Sequence, residues 1–131
     1  MRPSLPSGIR VFGIVSDSMR PTLAAGEAVL VEPCATRNLR AGDLVVVRRP
    51  GGPVCHRFLR CSAGLLHTQG DNRWRADAPT PEEALIGKVI SVLSARGKGR
   101  SVSGPRARLT GLARLLGRRL KWQADRLARK R

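Results

Sequence analysis

The chain has 131 residues, a 41% hydrophobic share and a formal net charge of +16, which leaves room for one domain with an appendage, since domains usually run about 100–150 residues. The hydrophobic share comes from Val, Leu, Ile and Ala; two Phe, two Trp and no Tyr argue against an aromatic platform for stacking single-stranded bases. Residues 1–95 hold 12 Lys/Arg against 8 Asp/Glu, net +4, whereas residues 96–131 hold 13 against Asp125 alone, net +12. A nearly balanced body is thus joined to a basic tail.

The N-terminal stretch MRPSLPSGIRVFGIV carries two prolines and no apolar run near the roughly 20 residues that span a bilayer. No secretory signal or anchor is expected, and the expected location is the cytoplasm, with the tail as a peripheral membrane contact. Strands are predicted at 9–15, 28–32, 43–49, 53–60, 64–69 and 85–94, separated by turn signals at an all-β spacing. Pro50-Gly51-Gly52 between two β-branched runs reads as a hairpin. The predicted fold is mainly β: antiparallel strands in two small sheets or a partly open barrel, followed by a C-terminal amphipathic α-helix.

Residues 95–105 (ARGKGRSVSGP) have the Gly/Ser-rich composition of a flexible linker between a body over 1–94 and a helix over 106–131. In that helix Leu109, Leu112, Ala113, Leu116, Leu120, Ala124 and Leu127 form an apolar stripe amid Arg and Lys. Gly111 and Gly117 weaken it by up to about 1 kcal/mol each relative to Ala. With Trp122 near the polar boundary, the stripe suits an anionic membrane surface better than nucleic acid. The cysteines, Cys34, Cys55 and Cys61, are odd in number and lack C-x-x-C spacing, so neither a disulfide framework nor a metal site is expected. No cofactor is called for.

The stretch SDSMRPTL, residues 16–23, lies between two strand-like runs and would pass as a turn. A nucleophilic serine there needs a base. The chain has two histidines, His56 on a strand after the hairpin and His67 before GDNRWRAD; Asp71 and Asp77 in that loop are the carboxylates available to orient a ring. Ser, His and Asp in this chain order suffice for a triad, whose order varies among unrelated folds.

Taken together, SDSMRPTLAAGEAVLVE, RAGDLVVV, VCHRFL, TQGDNRWRAD and LIGKVI, in order over residues 9–94, resemble the catalytic core of the signal peptidase I superfamily, in its Ser-His-Asp subgroup. The resemblance implies Ser18 as nucleophile and His56 as base, where bacterial signal peptidases and LexA-type repressors carry lysine; this body has only Lys88. It further implies a supporting role for Asp71 or Asp77, without saying which contacts His56, an oxyanion hole from the Ser18 backbone N–H and the Ser16 hydroxyl, and Met19 and Pro21 near the substrate. Gln69 and Glu27 stand where the superfamily usually has Lys and Asp. The implied function is a serine endopeptidase acting on an extended segment of a pre-protein or leader peptide. The alternative is a LexA-like regulatory or peptide-binding module whose basic tail binds nucleic acid.

Overall fold

Why the β-branched runs become strands is plain once their partners are seen, because each places alternate side chains in one of two cores. The computed structural model describes residues 8–129; the first seven residues of the expected body and the last two of the expected helix lie outside the described residues. The elements are β1 (Arg10–Gly13), β2 (Ala28–Glu32), β3 (Leu44–Arg49), β4 (Gly52–Ser62), β5 (Leu65–Gln69), β6 (Thr80–Pro81), β7 (Leu85–Leu93), β8 (Gly99–Arg100) and α1 (Pro105–Arg129), with short 3-10 turns at Thr36–Asn38 and Glu82–Ala84.

The strands form one open antiparallel sheet in the order β1-β2-β7-β3-β4-β5-β6, with β8 pairing on β7. A single sheet thus replaces the two-sheet form of the expectation. Its centre is β3, where Leu44 and Val46 face a core with Met19, Leu23, Val29, Val31, Val89 and Val92. Val45 and Val47 face the other way, onto Phe58 and Leu66. That period of two buries both faces of β3, and each such side chain contributes about 1.5–3 kcal/mol.

The hairpin at Pro50-Gly51 aligns β3 with β4 so that Val45 opposes His56 and Leu44 opposes Arg57. Neighbours on a strand leave by opposite faces, so His56 and Arg57 serve different surroundings. Within residues 95–105, Gly99 and Arg100 pair with Leu93 and Val92, Arg100 bridges to Glu27 at 2.7 Å, and Val102 is buried in the larger core.

Helix α1 packs against the body. Gly111 and Leu115 are its buried residues, Arg119 donates to Gln69 Oε1 at 2.6 Å, and the Trp122 ring stacks on Trp74 at 4.2 Å between centroids. Of the expected stripe, Leu109, Leu116, Leu120 and Leu127 remain exposed.

Candidate active site

Between β1 and β2 the chain turns through Ser16–Leu23, and this loop is clasped from the far side by the turn after β5. The Asn72 N–H donates to the Ser18 carbonyl at 2.8 Å, the Asp71 N–H to Met19 Sδ at 3.3 Å, and the Asn72 side-chain amide to the Asp17 carbonyl at 3.1 Å. The two can approach only because residue 70 is glycine: a Cβ there would lie 2.7 Å from the Ser18 carbonyl oxygen and 3.1 Å from His56 Nε2.

Ser18 and His56, each 8% exposed, meet in this crevice. His56 Nε2 is 3.1 Å from Ser18 Oγ. On the other side of the ring, Nδ1–H donates to Asp77 Oδ2 at 2.5 Å, leaving Nε2 free to accept the serine proton. Asp77 is itself held: the Thr68 hydroxyl donates to Oδ2 at 2.7 Å, the Asp77 N–H donates to the Thr68 carbonyl at 2.8 Å, and Arg49 stands 3.6 Å away. Burial pushes the Asp77 carboxyl up, but the hydrogen bond and charge of His56, the Thr68 hydroxyl and Arg49 outweigh it and hold the group below its usual value.

Asp71 has a different place. Its two oxygens take Arg57 Nε at 2.8 Å and Nη2 at 2.7 Å, and Oδ2 also accepts the Thr22 hydroxyl. A third guanidinium donor reaches the Gly42 carbonyl at 2.6 Å. Fork-on-fork pairing of this kind fixes direction as well as distance, so the pair ties β4 to the loop that carries Ser18. Of the two carboxylates in GDNRWRAD, the structure therefore brings Asp77 to the ring and sends Asp71 to the arginine next to it.

Ser16 Oγ lies 3.1 Å from Ser18 Oγ and accepts the Ser18 N–H across 3.4 Å, so the two groups expected as oxyanion donors bond to each other beside the Ser18 hydroxyl. Met19 and Ser18 line a groove of about 230 Å³ between Gly13, Ile14 and Val15 on one side and Pro53, Val54 and Cys55 on the other. Pro21 lies elsewhere, on a cavity beneath α1 with Asp71, Arg114 and Lys121. Burial and the Asp71 carboxylate raise the Cys55 thiol to about 12, against the lowering effect of Arg57, which keeps it an inert thiol at neutral pH. Lys88 stands two strands from His56, across Val45.

Arg57, Thr68, Arg49 and Gly70 were not singled out by sequence reasoning. Arg57 had a usable signal, since it directly follows the candidate base as the HR pair; Thr68 and Arg49 carry no pattern that separates them from ordinary strand residues.

The chain belongs to the Peptidase S24-like family, whose model matches residues 4–90, within the superfamily of LexA and the signal peptidases. No curated protein matches the chain. Membership supports a peptidase or a LexA-like module in general terms.

Proposed function

We propose that the protein is a serine endopeptidase that cleaves an extended segment of a pre-protein or leader peptide, with Ser18 as nucleophile, His56 as general base and Asp77 as the group that orients the ring. The observation that carries this reading is the unbroken chain from Ser18 Oγ through both nitrogens of His56 to the Asp77 carboxylate. A serine hydroxyl is a weak nucleophile until a base takes its proton, and imidazole titrates near neutrality. As Ser18 Oγ attacks the scissile carbonyl carbon, its proton passes to His56 Nε2 and the carboxylate stabilises the imidazolium. The oxyanion faces the Ser18 N–H and the Ser16 hydroxyl, each such donor being worth about 3–4 kcal/mol in the transition state. The imidazolium then gives its proton to the departing amine. Water, deprotonated by the same ring, hydrolyses the acyl-serine.

Two strand edges beside the groove support an extended substrate. β1 ends the sheet order, and β4 pairs with β5 only from Arg57 onward, leaving Gly52–His56 bonded to β3 alone among the described residues. A peptide laid between them gains main-chain hydrogen bonds from strand addition. The test is a mass-spectrometric cleavage screen on a peptide library with wild type, Ser18→Ala and His56→Ala. Cleavage by wild type alone is expected; if all three proteins behave alike, the reading fails.

A further inference from the structure

Helix α1 docks by one face and leaves another open. At 3.6 residues per turn, Gly111, Leu115, Arg119 and Trp122 share the side that meets the body. Roughly 130° around the helix, Leu109, Leu116, Leu120 and Leu127 line up within an arc of about 40° and over about 27 Å of axis. These four are 56–71% exposed. Single exposed leucines need no explanation, but a continuous stripe does.

The charge around the stripe selects its occupant. Arg106 flanks it about 60° to one side, and residues 96–131 as a whole hold 13 Lys/Arg against Asp125, which falls on the far side of the helix. A second copy of the chain would bring two segments of net +12 together. Nucleic acid would satisfy the cations and leave the leucines in water. An anionic bilayer surface satisfies both, with the leucines in the acyl boundary and the cations at headgroup level. We infer that this open face of α1 is a binding surface for anionic lipid. Because the other face is fixed to Trp74, Gln69 and Arg57, bound lipid would hold the Ser18 crevice at a set height above the membrane.

The experiment uses the full chain with vesicles of phosphatidylcholine containing phosphatidylglycerol, against phosphatidylcholine alone. Wild type is expected to sediment with the anionic vesicles only. The pair Leu120→Ser/Leu127→Ser, both exposed and so neutral to folding by circular dichroism and urea titration, weakens binding at least tenfold by the lost apolar transfer. Arg106→Gln weakens it too, and more so at low salt. The inference is overturned if wild type ignores phosphatidylglycerol or if the leucine pair binds as wild type does. It is equally overturned if the leucine pair converts a wild-type dimer to monomer in sedimentation equilibrium, or if duplex DNA binds more tightly than anionic vesicles and is indifferent to the leucines.

Discussion

Gly111 of α1 rests on the guanidinium of Arg57: a Cβ at residue 111 would lie 2.0 Å from Arg57 Cζ. The same guanidinium grips Asp71 with two donors, so the helix, the GDN turn and the serine loop are coupled through one arginine. Gly111→Leu should therefore cost about 3 kcal/mol in urea unfolding, since either the helix or the buried ion pair must move. Gly117→Ala, with nothing within 4 Å of the added methyl, should instead gain up to about 1 kcal/mol. Both changes improve helix propensity, so opposite signs isolate the packing.

The two carboxylates of GDNRWRAD should separate by phenotype. Asp77→Asn leaves the crevice folded but disturbs the tautomer and charge that the ring needs, and peptide cleavage should fall on the order of 10⁴-fold. Asp71→Asn leaves the buried Arg57 short of its partner and should destabilise the fold by about 3–5 kcal/mol. Thermal unfolding read beside kcat/KM checks both.

The lowered Asp77 carboxyl fixes a pH dependence of stability. A carboxyl whose folded pKa is depressed contributes stability that is present above its unfolded pKa, about 4, and is lost as pH falls through the lower folded value. The gap between wild type and Asp77→Asn in urea midpoint should be full at neutral pH and close on acidification below about pH 4. Arg49→Gln removes one cation facing the carboxylate, so the acid loss should be smaller and complete at a higher pH, with a cost near neutrality of roughly 1 kcal/mol.

Gly70→Ala should weaken cleavage more than it weakens folding. The added methyl meets the Ser18 carbonyl at 2.7 Å and His56 Nε2 at 3.1 Å, so the serine loop must give way where near-attack geometry matters, and an ångström of misplacement can cost about 10²-fold. Comparing kcat/KM with the urea midpoint of the same variant checks this.

The strands were legible because β-branched alternation and the Pro-Gly-Gly hairpin are local signals, and β3 and β4 lie where those signals end. Ser18 and His56 were also legible, through a motif that keeps residue types in order along the chain. The choice between Asp71 and Asp77 was not. Both sit in one polar loop, and which reaches the ring is decided by the Thr68–Asp77 backbone bond and the Arg57 fork, neither of which leaves a trace in spacing. The docked face of α1 was hidden for a related reason: Gly111 reads as a weak point of a helix until Arg57 is found against it. The expected stripe took in Leu109, Leu116, Leu120 and Leu127, while the body meets Gly111 and Leu115 instead.

In the proposed mechanism Ser18, His56 and Asp77 act as one unit, which kcat/KM on a peptide found by the cleavage screen can check. Ser18→Ala and His56→Ala should each lower kcat/KM by at least about 10⁴-fold, and the double variant should lose no more than either alone, as residues of one catalytic unit do. Losses that multiply in the double variant, or a His56→Ala protein as active as wild type, would contradict it.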